Sequence, residues 1–393
     1  DINPDIFGSM IQAVVHPDQR GGMGMHYTSV TNIMKVIEPL FLNDLYEDLE
    51  KVESSAVKLQ KLQQRLGEVK IFDPACGSGN FLIIAYKELR KFEMEVLKRL
   101  QELELEKTGQ ISQPFSVIKL SQFYGIELDD FAHEVAILSL WLAEHQMNVE
   151  FKVEFGESRP SLPLQKGGGV VCGNATRISW EKVCPISNLD EAYVLGNPPY
   201  LGFKMQGKEQ KLDIEHVFEG IKNYKKLDYI SCWLFKASQY ISGKKSQFSF
   251  VSTNSICQGE HVGLLWPHLF EMGMEINFAH TSFKWKNNAR NNAGVICVIV
   301  GVRSKSLKEK YLFIEGKRRS VDRINAYLSP GSGSVVMKRS SPISWLPKMS
   351  LGNMPKDDGN FILSDSEKDK LINEYPDSKK FIRKLIGAFE FIR

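Results

Sequence analysis

Long apolar runs are missing from this sequence. The longest, Gly294 to Val302 (GVICVIVGV), has the length of a buried strand and falls far short of the roughly 20 residues that cross a bilayer, and no secretory signal opens the chain. A membrane is therefore not an expected partner. Cysteine is scarce as well: Cys76, Cys172, Cys184, Cys232, Cys257 and Cys297 lie scattered with no C-x-x-C pair. That pattern argues against a zinc site and a disulfide framework, and fits reduced thiols in a cytoplasmic protein with no bound metal. Net charge is nearly absent, since 50 Lys and Arg against 47 Asp and Glu leave +3, which names no partner. Internal repeats and low-complexity tracts are lacking too. The chain opens at Asp1 rather than at a methionine and closes on LIGAFEFIR without an obvious terminator, as an excised part of a longer polypeptide would.

What charge there is collects in one place. From Lys284 to Arg339 there are 13 Lys and Arg against 3 Asp and Glu. Such a block is either a solvated face or the electrostatic footprint of a phosphate-binding surface. A length of 393 residues exceeds one ordinary domain and predicts a large α/β unit with an appendage. The opening VTNIMKVIEPLFLNDLYEDLEKV has helical apolar spacing, with Pro39 expected to break or bend it. Then β-rich runs (VKIFD, FYGIE, GVVC, AYVLG, SQFSFVST) alternate with amphipathic stretches, and INFAHTSF with AGVICVIVGV reads as a closing hairpin. This alternation predicts a mostly parallel sheet with an antiparallel edge strand and helices on both faces. Two segments fall outside the rhythm. Leu201 to Lys226 is dotted with lysines and reads as a lid or a plain surface loop, and SPGSGS from Ser329 reads as a linker.

In open α/β sheets ligands bind at the carboxyl ends of strands, and several strand ends here carry chemistry. FDPACGSGNF ends a strand in Asp73 and turns on Gly77 and Gly79, which allow close approach of a ligand. Phe81 and Leu82 fill the place where a dinucleotide fingerprint would need its third glycine, so an amino acid end is favoured over a pyrophosphate. The cradle comprises Asp73, Ala75, Cys76, Gly77, Gly79, Asn80 and Phe81. GIELDD places Glu127 to accept the two hydroxyls of a ribose, with Leu128 against the attached base. CGNA offers Asn174, followed by Ala175, for a purine edge. A nucleoside joined to a zwitterionic amino acid is S-adenosylmethionine, the expected cofactor. The fourth strand ends in GNPPY. Two prolines make a stiff exit without N–H groups, Asn197 and the Pro198 carbonyl are acceptors, and Tyr200 supplies a flat face that could grip a ring carrying an NH2 group. The alternative is a tight turn with a buried tyrosine.

In this order the four segments resemble motifs I to IV of the amino-methyltransferases, and NPPY resembles the form found in adenine-N6 DNA methyltransferases. GMHYTSVTNI resembles motif X, which implies cofactor contacts from Tyr27 and from Thr28, the latter at the methionine carboxylate. LDYISCWLFKAS, FSFVSTNSI and HTSFKWKNNA resemble motifs V, VI and VIII. Motif X ahead of motif I is the γ-class order. NPDIFGSMIQAVV, HYTS with PLFLNDL, and FIRKLIGAFEFIR are similar to MmeI-like single-chain restriction-modification enzymes. The resemblance implies a Rossmann-like class I methyltransferase fold: a helical segment over 1–50, the methyltransferase domain over 51–328, and a linker with the start of a target-recognition region over 329–393. Nuclease and remaining recognition regions are expected elsewhere in the parent chain, since no P-D…[DE]-x-K pattern is found.

The implied reaction is methylation of N6 of an adenine flipped out of double-stranded DNA. Asn197, Pro198, Pro199 and Tyr200 form the catalytic set, and Phe283 or Trp285 is a second wall for the base, unless these two are ordinary core. Rival readings are a methyltransferase for RNA guanine or protein glutamine, a nicotinamide-dependent oxidoreductase, and a catalytically silent DNA-binding subunit.

Overall fold

A computed structural model describes residues 28–156, 169–284, 296–339, 341–345 and 359–386. Tyr27 and Trp285 lie outside the described residues, as does the MmeI-like opening segment. Among the described residues three helices lead in: α1 (Val30–Ile37), α2 (Asn43–Val52) and α3 (Ala56–Leu66). At Pro39 the chain does not break. Proline has no N–H to return to the Lys35 carbonyl and its ring crowds that group, so Glu38–Leu42 widen into a π turn in which the Asn43 N–H bonds the Glu38 carbonyl.

The alternation that follows is β1 (Lys70–Asp73), α4 (Asn80–Thr108), β2 (Phe123–Glu127), α5 (Asp130–Phe155), β3 (Gly169–Cys172), α6 (Trp180–Val183) and β4 (Ala192–Gly196). It continues with α7 (Lys208–Val217), α8 (Ser231–Ile241), β5 (Gln247–Thr253), α9 (Gly259–Glu271), β6 (Met274–Lys284), β7 (Ile296–Ser304), β8 (Lys310–Ile314) and β9 (Lys317–Val321). Among the described residues these strands form one sheet in the order β3-β2-β1-β4-β5-β7-β6-β8-β9. Strands β1 to β5 run parallel, and β7 lies antiparallel between β5 and β6, so the expected hairpin forms with its second strand inside the sheet. The sheet also runs further than the sequence suggested: β8 adds parallel to β6, and β9 folds back on it. Glu315 and Gly316 make that turn with φ of 50° and 79°, the pair of positive angles that a tight right-twisting hairpin demands.

Both faces of the parallel part are covered, which is why β4 is apolar throughout and buried at every position. Alternation divides its side chains: Tyr193 and Leu195 join a core with α1 to α5, and Val194 joins a second core with α8 and α9. The lysine-dotted stretch is no free loop, since α7 inserts Ile214, and Phe218 follows it into the second core. A first compact unit extends to Lys338, and a second runs from Arg339. The second unit carries α10 (Asp365–Glu374), started by a reciprocal cap in which the Ser364 hydroxyl and the Glu367 carboxylate satisfy each other's backbone N–H.

Inside the sheet, Gly301 on β7 is covered by the Phe278 ring, whose nearest atom would lie 2.2 Å from a Cβ at that position. Gly301→Ala is expected to displace the ring and cost about 1–3 kcal/mol of stability, as overpacking of a closed core does. Chemical denaturation of the two proteins checks this; an unchanged midpoint would show that the ring has room to move.

Candidate functional site

The sheet order sets β3, β2, β1 and β4 side by side, so the four sequence segments with chemistry meet along one carboxyl edge. After β1 the chain turns back on Asp73, whose Oδ1 accepts the Ala75 N–H at 3.0 Å. Gly77 has φ +53° and Gly79 φ +86°. The Gly77 N–H donates to Glu127 Oε2 at 2.7 Å, and the Cys76 N–H donates to the Ile126 carbonyl at 3.1 Å, which ties the turn to β2. Gly79 packs against Ala136 of α5, leaving 3.3 Å for a Cβ, so glycine meets both a conformational and a steric need there. The Cys76 thiol is buried against Gly125. Phe81 is buried core. Asn80 opens α4 with its side-chain oxygen buried and unpartnered.

Glu127 accepts a second bond from the Asp129 N–H at 3.0 Å. Each carboxylate oxygen can accept two bonds, so both retain capacity for hydroxyl donors. Leu128 beside it is 66 % exposed, as a residue facing a ligand would be. Asn174, at the exit of β3, also serves the protein itself. Its Oδ1 accepts the Thr176 N–H and hydroxyl at 2.9 and 2.7 Å, and its Nδ2 donates to Asp213 at 3.1 Å, so its oxygen is taken within the protein while one amide N–H keeps donor capacity. Ala175 is buried, and its carbonyl accepts the Trp180 indole N–H at 2.9 Å.

At the end of β4, Asn197 Nδ2 donates to the Thr28 hydroxyl at 3.3 Å, joining residues 169 positions apart. Asn197 Oδ1 is buried with no partner. Pro198 is buried, and Pro199 and Tyr200 are partly so. The Tyr200 hydroxyl meets the Cys297 thiol on β7; burial and the thiol together push the phenol's pKa upward. Phe283 on β6 pairs across from Cys297, so both aromatic candidates flank one residue. Lys35 of α1 stands 4.4 Å from the Phe283 ring centre.

Sequence reasoning did not single out the clamp behind the proline turn. The Leu201 N–H donates to Asp228 at 2.8 Å, the Leu201 carbonyl accepts the Tyr229 N–H at 3.0 Å, and Gln206 adds a bond to that carbonyl at 2.8 Å. Trp233 on α8 donates its indole N–H to the Pro74 carbonyl at 3.0 Å and so supports the glycine turn from below. In the sequence, Asp228 reads as an ordinary acid ahead of a helix and Trp233 as core. The basic stretch is also less available than its composition implies. Arg303 and Lys310 pair with Glu275, Lys308 with Asp44, Arg318 with Glu47 and Lys338 with Glu260.

Comparison with known proteins places these features in a family. Residues 49–314 match the model of the MmeI DNA-methyltransferase domain, and residues 330–393 that of the MmeI target recognition domain. A protein of Bacillus subtilis (strain 168) named DNA methyltransferase A is 52 % identical over all 393 residues, which make up 44 % of its length. The solved structure of the type IIL restriction-modification enzyme MmeI in complex with DNA is 40 % identical; it superposes with a TM-score of 0.87 over the whole chain and 53 % of its own. The chain thus spans about half the length of the relatives it matches.

Asp73 dominates the electrostatics of the edge. It is 1 % exposed, its Oδ2 has no partner, and burial, with a further push from Glu127, raises its pKa to about 8. A carboxyl whose folded pKa lies above its unfolded value holds more protons folded than unfolded, so stability is full at acid pH and falls as pH rises from about 4 to 8. In the ligand-free protein Asp73→Asn is expected to lessen that fall. Urea denaturation across this range compares the two slopes, and parallel curves would remove the buried charge from Asp73.

Proposed function

The chain belongs to the MmeI DNA-methyltransferase family, and we propose that it transfers a methyl group from S-adenosylmethionine to N6 of an adenine flipped out of double-stranded DNA. We assign it as the modification module of a restriction-modification enzyme. One observation carries the reading: Asn197 Oδ1 is a buried acceptor with no donor, at a strand end beside the glycine turn. The likeness to a restriction-modification enzyme solved with DNA favours DNA over RNA or protein as the methyl acceptor.

The residues fit a cofactor with a cationic amine and a ribose. Asp73 Oδ2 and Asn80 Oδ1 are buried oxygens lacking donors, and Glu127 retains acceptor capacity next to exposed Leu128. Thr28 accepts from Asn197, which leaves its own O–H for a carboxylate. S-adenosylmethionine supplies, when bound, a methyl group on a sulfonium centre. Asn174 and Ala175 hold the loop at the purine end, Asn174 through its side-chain bonds and Ala175 through its carbonyl.

On the target side the difficulty is that the adenine amino lone pair is delocalised into the ring. Asn197 Oδ1 and the Pro198 carbonyl accept its two hydrogens and favour a tetrahedral nitrogen whose lone pair points at the methyl. The Thr28 hydroxyl takes Asn197 Nδ2 and so keeps Oδ1 turned to the amine. The rigid prolines hold the two acceptors in place before the base arrives, which is catalysis by position and preformed dipoles. Tyr200 stacks on the base, and Phe283, steadied by Lys35, forms the opposite wall.

Methyl transfer to duplex DNA, assayed against RNA and protein acceptors, tests the reading as a whole. Asn197→Ala is expected to lose about 2.7–4 kcal/mol of transition-state stabilisation while binding the cofactor within a few-fold by calorimetry. Glu127→Ala should show the reverse, weak cofactor binding with the target side intact; turnover by Asn197→Ala at the native rate would end the acceptor role. Tyr200→Ala should weaken engagement of an unpaired target base by about 1–3 kcal/mol, and Tyr200→Phe should be mild. An equal loss in both would assign the effect to the hydroxyl facing Cys297 and not to the ring.

A further inference from the structure

The segment between the proline turn and α8 holds a group with no part in the chemistry above. Asp213, on α7, is 3 % exposed, yet three donors from two separate segments converge on its carboxylate. Arg177 Nε donates at 2.7 Å and Asn174 Nδ2 at 3.1 Å, both from the loop at the exit of β3. The Tyr229 hydroxyl, from the residues just ahead of α8, donates at 2.7 Å to the same oxygen as Asn174. Burial pushes this carboxyl up, but the bonds from Tyr229, Asn174 and Arg177 outweigh it and hold the pKa low.

Tyr229 is not an end point. Its backbone N–H bonds the Leu201 carbonyl at 3.0 Å, and its neighbour Asp228 accepts the Leu201 N–H at 2.8 Å. Leu201 directly follows Tyr200. A continuous line of bonds therefore runs from the Asn174 loop through Asp213 and Tyr229 to the Asn197–Tyr200 turn. Lys236 holds the Asn174 loop separately, donating to the Thr176 and Ile178 carbonyls at 3.0 and 2.9 Å, so losing Asp213 would detach α7 from that loop without freeing it.

We infer that Asp213 is a positioning residue that couples the loop at the β3 exit to the Asn197–Tyr200 turn, so that filling the cofactor pocket orders the target-base side. By linkage, a base held at the turn tightens the cofactor to the same degree. The coupling needs no displacement: a ligand that stills one end of the line lowers the entropy left to lose at the other. The inference rests on the cofactor reading proposed above.

The test is hydrogen exchange on the full-length protein with and without saturating S-adenosylhomocysteine, the demethylated cofactor, with binding followed by calorimetry. In the wild type the peptide covering 197–206 is expected to exchange at least about fivefold more slowly when the ligand is bound, the lower end of usual coupling factors. In Asp213→Asn that transmitted protection should vanish while protection of residues 73–80 persists. Tyr229→Phe removes one hydroxyl and keeps the backbone bond to Leu201; it should give the same loss and serves if the first variant folds poorly. Protection of 197–206 that survives in both variants overturns the coupling, as does wild-type protection confined to the glycine turn. No binding heat and no protection at 73–80 in the wild type would instead overturn the cofactor reading, and this inference with it.

Discussion

The Asp73 carboxyl group sits where β1 and β4 end, in space that exists only because residue 196 has no side chain. A Cβ on Gly196 would lie 2.5 Å from Asp73 Oδ1. Through this contact the strand that turns into the glycine loop and the strand that turns into the proline loop stand at the same height. Much of the edge follows from that alignment. The glycine turn bonds sideways to Glu127 on β2, the proline turn reaches back to Thr28, and Trp233 holds Pro74 from the second core. A buried carboxyl with a donor on only one oxygen, as the Ala75 N–H on Asp73 Oδ1, is costly unless it is protonated or meets a cation. The raised pKa of Asp73 reflects that strain, and a bound ammonium group would relieve it.

How much of this could be read from the sequence depended on how local the physics was. The strand ends at Asp73, Glu127, Asn174 and Asn197 were legible because a short β-rich run followed by glycine, acid or proline carries its meaning within a few residues. Pro39 was legible as a disturbance but not as a π turn, since the choice between breaking and widening is made by the packing of Leu40, Phe41 and Leu42 into the first core. The clamp of Asp228 and Gln206 on Leu201 joins residues five to twenty-seven positions apart, and no spacing rule announces it. The same holds for Cys297, whose place between Tyr200 and Phe283 is decided by the register of β6 on β7. Asn174 is the instructive case. Its residue type suited a purine, yet two residues, Thr176 and Asp213, take three bonds to its side chain, and no spacing rule in the sequence announces that competition.

Charge was only partly legible, for a related reason. A count along the chain cannot tell a lysine facing solvent from one facing an acid brought in by the fold. Arg303 and Lys310 both converge on Glu275 across β6, β7 and β8, and Lys308 and Arg318 find Asp44 and Glu47 on α2. The basic stretch thus helps fasten the last strands to the leading helices, and fewer of its charges remain for a polyanion than its composition suggests.

The hairpin of β8 and β9 has a meaning beyond fastening. A sheet this wide ends, on one side, in a strand whose outer row of backbone N–H and C=O groups faces no further strand among the described residues. Open edges of that kind invite strand addition by another molecule, the first step toward insoluble aggregates. Here the edge is Lys317, Arg318, Arg319 and Ser320, all exposed, and the Arg318 guanidinium carbon lies over the Tyr311 ring, 3.7 Å from its centre. A second copy approaching in register would bring three positive charges against three of its own. Like charge on its last described strand thus opposes the strand addition that an open edge would otherwise permit.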